Sequence, residues 1–348
     1  MDQYGTQRVG GFPLKKQNRQ IVLAKRPTAI PEARHFELQE TAIPEPGDGE
    51  FLIRNRFLSV DPAMRGWVNA AANYSKPVAI GQVMRSFAAG EVIRSNHPDY
   101  TVGDLVCGMF GWREYALSDG NNVTFRHDIA DVPLSASLGI LGVNGISAYF
   151  ALLDIGEPKA GEIVVVSTAA GSVGSAVGQI AKIKGCRTVG FTGSAEKVGL
   201  CVDEFGYDAA LDYHINNLGA ALAEACPDGV DVYFDNTAGA ISDMVYRQLN
   251  IGARCVICGT AALASWDPWP EGPRIERHLL VKRARIQGFL LFDYATRYEE
   301  ARSQLAAWLA AGRLRYREHI LDGLKQAPGA IARLYAGENN GKLLIRLD

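Results

Sequence analysis

The sequence has no apolar run long enough to span a bilayer, so a membrane-embedded chain is not the expectation. Its opening residues also lack the charged-then-apolar pattern of an export signal. Neither sign of charge is in excess, with a formal net charge of −2 over 348 residues. No overall basic field therefore calls for nucleic acid or an anionic membrane. Cysteine is sparse: six residues at 107, 186, 201, 226, 255 and 258, of which only the last two lie close together. They fall in Ala253-Arg-Cys-Val-Ile-Cys-Gly259, which reads as a strand, and strand alternation sends the two thiols to opposite faces. That argues against a metal pair or redox dithiol and for ordinary buried thiols. Internal repeats and low-complexity segments are missing as well. A soluble, cytoplasmic protein that handles a small molecule is the expectation.

What is present is a globular composition, 47% hydrophobic and 21% charged, enough for a sizeable core. The length exceeds that of a typical single domain, so two domains are expected. The chain is organised around Ile163 to Lys182. Ile163-Val-Val-Val166 is a short branched apolar run, suited to a strand buried on both faces. Small residues follow, and then apolar periodicity through Val177, Ile180, Ala181 and Ile183 reads as a helix. Within the turn, Ala169, Gly171 and Gly174 take the three glycine positions of a dinucleotide fingerprint, with Ser172 and Val173 between them. Small residues suit that role because the backbone must approach a pyrophosphate, which the helix N–H groups then receive. Gly178 would let the helix lie close to the sheet. Any tight strand-to-helix turn could look similar. A second strand, Arg187 to Thr192, follows the helix and favours the nucleotide reading.

In chain order, residues 1–17 form a polar, glycine-bearing arm without periodicity. From Asn18 to about Gly139 short strands alternate with Gly and Pro punctuation, the pattern of an irregular, mostly-β barrel domain. Its strands are expected at Arg19–Ala24, Phe36–Thr41, Glu50–Val60, Gly90–Arg94, Asp104–Met109 and Trp112–Leu117. Leu138–Leu153 reads as a helix leading into a strand–helix series. Those strands are expected at Ile163–Ser167, Thr188–Thr192, Ala209–Tyr213, Val230–Asp235, Ala253–Cys258 and Ala284–Leu291, which implies an α/β, doubly wound parallel sheet. A helix over Thr296–Ala311 and a closing strand over Lys342–Arg346 end the chain.

An NAD site commonly places a carboxylate at the end of its second strand, to grip the ribose hydroxyl. Here that position reads Thr192-Gly193-Ser194, followed by Lys197 in the first turn of a helix that Ser194 would cap. A lysine there is disfavoured by the helix dipole by about 0.3–1 kcal/mol, a cost that a bound 2′-phosphate would offset. The alternative is a solvated lysine paired with Glu196. The balance favours NADP(H).

With both halves read, the chain resembles the zinc-independent medium-chain dehydrogenase/reductases, in particular the alkenal/one (double-bond) reductases. The resemblance covers nearly everything from Asn18 to Leu347. It is carried by Ser59-Val-Asp-Pro-Ala-Met-Arg65, Pro77-Val-Ala-Ile-Gly81, His97-Pro-Asp-Tyr100, Gly103-Asp104 and Ala169 to Lys182. Gly193-Ser-Ala-Glu-Lys197, Tyr213, Phe234-Asp-Asn236, Gly259, Gly288-Phe-Leu-Leu-Phe292 and Asn339-Asn-Gly-Lys342 continue it. It implies a GroES-like domain over 1–139 and 312–348 and a Rossmann domain over 140–311, with NADPH in the cleft between them. Lys197, Tyr213 and Ser194 would hold the 2′-phosphate, Asn236 would lie along the cofactor, Gly259 beside the ribose and Asn339 near the pyrophosphate. The backbone from Leu290 to Phe292 would face the nicotinamide. Where zinc-dependent relatives carry ligands, this chain reads Ser59-Val-Asp61 and Ile80-Gly-Gln-Val83, so no metal is expected. The resemblance also implies a homodimer, and the last strand, Ala284–Leu291, would be an apolar sheet edge in need of cover.

The chain departs from the family at two places. Ala63 stands where the family carries a tyrosine, and Ala264 (or, with a small shift, Trp266) stands where a second tyrosine bonds the substrate oxygen. Small side chains there, with Trp266 and Trp269 nearby, leave apolar room for a bulky substrate. Reducing an enone needs a donor for the enolate oxygen and a proton for the α-carbon. Tyr74 and Tyr294 are the phenolic candidates, each otherwise a packed aromatic, while Trp266 can donate a hydrogen bond but not a proton. Arg65 either lines the mouth of the site or forms a structural ion pair. The basic cluster Arg274, Arg277, Lys282, Arg283 and Arg285 reads as a solvated helix face. Three functions are open: an NADPH-dependent enone or enal reductase, a quinone reductase of the same fold, and a weakly catalytic NADPH-binding protein.

Overall fold

The computed structural model describes residues 17–70, 74–263 and 270–347, together with the backbone of 8–9 and 12–13. Two compact units are present: Met1–Leu138 with His319–Asn339 and Leu343–Asp348, and Gly139–Glu318 with Asn340–Lys342.

In the first unit, β1 (Arg8–Val9) pairs with β2 (Phe12–Pro13), and β3 (Asn18–Leu23) forms a hairpin with β4 (Phe36–Thr41). The long strand β5 (Phe51–Ser59) is central, because it has ladder partners along both edges. A short helix α1 (Met64–Trp67) follows it, and then come β6 (Ala88–Ser95), β7 (Leu105–Gly108), β8 (Tyr115–Ser118) and β9 (Val123–Arg126). Leu52, Ile93 and Tyr115 bury together, with Ile43 and Leu117 packed on them.

In the second unit, α2 (Val143–Phe150) leads into the sheet strands β10 (Ile163–Val166), β11 (Arg187–Thr192), β12 (Ala209–Asp212), β13 (Val230–Asp235), β14 (Leu249–Ile257) and β15 (Arg285–Gly288). All pair in parallel, in the order β12-β11-β10-β13-β14-β15. The connecting helices are α3 (Ser172–Ile183), α4 (Ala195–Gly199), α5 (Leu218–Ala225), α6 (Ala240–Val245), α7 (Glu276–Lys282) and α8 (Tyr298–Ala310). Alternation separates the two sheet faces: Ile163, Val165, Val189, Phe191 and Tyr233 share a cluster with Leu222 of α5 and Val245 of α6. The chain then adds β16 (Glu318–Asp322), α9 (Ala327–Tyr335) and β17 (Lys342–Arg346), whose Leu344 pairs with Ser59 of β5.

Several expectations need correction. The helix expected over Leu138–Leu153 is divided: a 3-10 turn ends at Leu138, α2 starts only at Val143, and Ala151–Gly156 widens into a π-helix. Gly145 permits the first break: a Cβ there would overlap the Ile140 carbonyl, so only glycine lets the turn before α2 fold back onto the helix. The last parallel strand is shorter than Ala284–Leu291 and less apolar, with Arg285, Gln287 and Gly288 exposed. β14 starts earlier than expected, at Leu249, with a register shift opposite Val230–Val232. The chain returns to the first unit near His319 rather than at 312. Gln179 of α3 holds that segment: its amide brackets the Arg315 backbone, donating to the carbonyl at 2.9 Å and accepting from the N–H at 2.8 Å. The arm of residues 1–16 and the stretch Ala264–Trp269, which includes Trp266, lie outside the fully described residues.

Candidate active site

The strand order of the second unit reverses between β10 and β13, and crevices at such reversals receive ligands in doubly wound sheets. The residues at that point are tied together by hydrogen bonds. Asn236 donates from its side chain to the Ser167 carbonyl at 2.7 Å and from its backbone to the Ser167 hydroxyl at 2.7 Å. Asp235, fully buried, accepts from the backbone N–H groups of Thr237 at 2.9 Å and Ala238 at 2.8 Å, and from Ser242 Oγ at 2.5 Å. A buried carboxylate with this many donors is satisfied and fixes the turn after β13. Gly259 lies against the same turn, since a Cβ on it would stand 2.8 Å from the Asn236 carbonyl. From sequence, Asp235 enters only as a strand end and within Phe234-Asp-Asn236, without a role; its signal is an acid closing the apolar run Val232–Phe234.

The glycine turn follows from sterics. Ala169 is buried and donates to the Phe191 carbonyl at 2.8 Å. Gly171 caps α3, Ser172 and Val173 open it half-buried, and a Cβ on Gly174 would overlap the Thr168 carbonyl. Thr168 itself has φ 56°, an uncommon state for a β-branched residue. Gly178 requires a correction: its missing Cβ makes room for the Tyr207 ring rather than for the sheet. The Tyr207 hydroxyl donates to the Gly174 carbonyl at 2.6 Å, bracing the first turn of α3.

At the end of β11, the Ser194 hydroxyl accepts from the Lys197 N–H at 3.2 Å, as an N-cap does. A Cβ on Gly193 would stand 2.6 Å from the Tyr213 hydroxyl, so glycine admits that phenol to the strand end. Half-burial pushes the Lys197 ammonium down, with Glu196 opposing. The Glu196 carboxylate also accepts from Asn340 at 2.8 Å, so a pairing with Lys197 alone does not describe it. Asn339 precedes it in the chain, as the last residue of its segment of the first unit. Gly193, Ser194 and Tyr213 thus meet at one strand end, with Lys197 in the first turn of the helix that Ser194 caps and the Glu196 charge acting on its ammonium. A cation losing hydration and two hydroxyls suit a phosphate ester. Leu290 is extended and half-buried beyond β15, and Phe292 is 44% exposed in the 3-10 turn that follows.

In the first unit, Ser59 and Asp61 are buried, with the Ser59 hydroxyl donating to the Asp61 carboxylate. The Ser59 carbonyl accepts from Trp112 Nε1 at 3.1 Å and from Ser86 Oγ at 2.9 Å. Among the described residues no three His, Cys, Asp or Glu side chains gather as a metal site. Ala63 caps α1, and Arg65 in that helix lies 5.1 Å over the Tyr335 ring, an aromatic partner that neither sequence reading foresaw. Tyr74 keeps 52% of its surface exposed and accepts a hydrogen bond from Trp67 Nε1 at 3.3 Å. Tyr294 belongs to the second unit, stacked 4.8 Å from Phe150 with the Arg297 guanidinium over both rings. The basic cluster is partly paired, Arg274 with Glu276 at 3.2 Å and Arg285 with Glu157 at 2.6 Å.

A β-rich unit and a doubly wound unit with a glycine turn at its strand reversal define a dinucleotide-dependent oxidoreductase. Comparison with known proteins agrees. A model described as the N-terminal domain of oxidoreductase matches residues 19–125, and one described as zinc-binding dehydrogenase matches 172–309. The chain is 42% identical to the NADPH-dependent curcumin reductase of Escherichia coli (strain K12), covering 96% of this chain and 98% of that protein. It is 36% identical to the NADP(+)-dependent 2-alkenal reductase of Nicotiana tabacum, covering 95% and 98% respectively. The crystal structure of CurA from Vibrio vulnificus in complex with NADPH superposes with a TM-score of 0.89 at 41% identity, covering 95% of this chain and 99% of that one. The chain belongs to the alkenal/one reductases of the zinc-independent medium-chain dehydrogenase/reductases, with their GroES-like and Rossmann domains.

Proposed function

We propose that this protein is an NADPH-dependent reductase of carbon–carbon double bonds conjugated to a carbonyl, in α,β-unsaturated ketones and aldehydes. The observation that carries the cofactor choice is the group of Lys197, Ser194 and Tyr213 at the end of β11, where an NAD site would place a carboxylate. Family membership supplies the reaction class. NADPH held there supplies the hydride for the β-carbon of the substrate. Gly171, Ser172, Val173 and Gly174 would receive the pyrophosphate on the first turn of α3, with Asn236 and Gly259 along the crevice and Leu290, Phe292 and Asn339 completing the binding set. As hydride arrives, charge gathers on the carbonyl oxygen, and the α-carbon then takes a proton. Tyr74 is the favoured donor, because its phenol is half-exposed, whereas Tyr294 is committed to an aromatic stack under Arg297. Ala63 would leave room for the substrate beside Arg65.

A homodimer belongs to the same reading. β15 is a sheet edge, and Leu280 and Val281, just before it in the chain, are 78% and 56% exposed. Six free thiols fit a reducing, cytoplasmic setting. Turnover of an enone, enal and quinone panel, followed by NADPH absorbance, tests the function. Enone reduction supports it, reduction of quinones alone points to the quinone oxidoreductase alternative, and NADPH binding without turnover leaves a binding protein. Sedimentation equilibrium at micromolar concentration tests the dimer, and a monomer there would refute it.

A further inference from the structure

The donor proposed above has companions that the reaction alone does not demand. Trp67, 3% exposed, directs its indole N–H at the Tyr74 oxygen at 3.3 Å. The Arg85 guanidinium lies 5.7 Å over the Trp67 ring. The same guanidinium donates to Ser75 Oγ and, at 2.8 Å, to the Lys76 carbonyl, so it fastens the backbone directly after Tyr74. Arg26 ties together residues on either side of Tyr74, donating to the Val68 and Val78 carbonyls at 2.9 and 2.8 Å. The indole N–H thus gives this half-exposed phenol a directed partner, and the guanidinium fixes both that indole and the backbone after Tyr74.

We propose that Trp67 and Arg85 are positioning residues for Tyr74, aiming its hydroxyl and stabilising the phenolate it becomes on giving up its proton. The inference rests on Tyr74 being the donor. In the step itself, the Tyr74 O–H bond breaks and a C–H bond forms at the α-carbon of the substrate enolate. The O–H electron pair stays on the phenolate, and water later restores the proton. An N–H donor aimed at that oxygen binds the phenolate more strongly than the phenol, so it helps most once the proton has left. Among the described residues, the groups facing Tyr74 include Asp61, within electrostatic reach, and Tyr335 on α9, whose ring carries Arg65. Burial around the hydroxyl pushes the phenol pKa up; the Trp67 hydrogen bond pulls it down, Asp61 adds to the rise and Arg85 to the fall. Tyr335 is itself occupied, donating to the Pro62 carbonyl at 3.1 Å.

The test uses Trp67→Phe, which keeps a ring and removes the N–H, with Arg85→Met and Arg85→Lys. The first readout is independent of turnover: alkaline absorbance titration of each protein, with Tyr74→Phe subtracted to isolate this phenol. Its midpoint should rise by roughly half a pH unit or more in Trp67→Phe and Arg85→Met, and Arg85→Lys should recover most of that. The second readout is steady-state reduction of an enone. There kcat should fall about tenfold in Trp67→Phe with KM within twofold, and the solvent deuterium isotope effect on kcat should grow. An unmoved Tyr74 midpoint in Trp67→Phe overturns the inference, and so does a kcat within twofold of the unmodified protein. If the unmodified protein reduces no enone, the functional reading fails, and the titration alone still decides whether Trp67 and Arg85 tune Tyr74.

Discussion

Replacing Gly178 by alanine sets two physical rules against each other. Alanine is a better helix former than glycine by about 1 kcal/mol, so α3 considered alone should gain stability. In the folded chain, however, the new Cβ would overlap the ring of Tyr207 and stand 2.5 Å from its hydroxyl oxygen. Tyr207 is 2% exposed and has nowhere to retreat without disturbing the α3–β11 packing. Overpacking of this kind costs about 1–3 kcal/mol. Displacing the ring also breaks the 2.6 Å bond from its hydroxyl to the Gly174 carbonyl, and a stranded buried hydroxyl costs about 1–3 kcal/mol more. Against the helical gain, a net loss of about 3 kcal/mol remains. For a domain of this size that lowers Tm by about 6–12 °C. NADPH affinity should fall too, because the broken bond braces the helix turn proposed to meet the pyrophosphate. Calorimetry and NADPH titration of Gly178→Ala measure both, and Gly178→Ala/Tyr207→Ala should lose less than its two single changes combined. An unchanged or raised Tm in Gly178→Ala would show that helix propensity governs the position and refute the packing argument.

Removing the side-chain charge with Lys197→Ala should cost NADPH about 1.5–3 kcal/mol of binding while barely touching NADH; equal losses for the two cofactors would count against a phosphate contact. Arg254 donates to the Gly156, Glu157 and Asp231 carbonyls and to both Glu162 oxygens, in a pair 13% and 19% exposed, so Arg254→Met should cost about 3–5 kcal/mol in urea unfolding. Burial pushes the Glu162 carboxyl up, but the Arg254 and Lys159 contacts outweigh it and hold its pKa below 4.5. Its contribution is therefore full above about pH 4.5 and lost as pH falls through the lowered value, and Arg254→Met should flatten that acid limb. Thr168 at φ 56° should be relieved by Thr168→Gly, with strain of about 1–2 kcal/mol set against about 0.5–1 of glycine entropy, and a lowered Tm would refute the strain.

Sequence alone was enough wherever the controlling interaction is local. The strand–glycine turn–helix around Ala169 to Gly174, the Ser194 cap on Lys197 and the missing carboxylate after Thr192 are set by neighbours a few residues apart. So are the strands of the parallel sheet, because near-continuous apolar runs such as Ile163–Val166 and Val232–Phe234 mark strands buried on both faces. The helix expected from Leu138 is interrupted where the Ile140 carbonyl comes against Gly145, an approach that the missing Cβ permits and that periodicity does not register. Tertiary structure decided what depends on the chain returning to itself. Tyr207 fills the space above Gly178, the Arg315 backbone completes Gln179, and Tyr335 arrives on α9 to take the charge of Arg65. The placement of Trp67 and Arg85 around Tyr74 is of the same kind, because no spacing rule links an indole, a guanidinium and a phenol across an irregular segment. Local sterics and hydrogen bonding act over a few bonds and leave a readable period, whereas contacts between distant residues are chosen by how whole elements pack, and packing leaves no period along the chain.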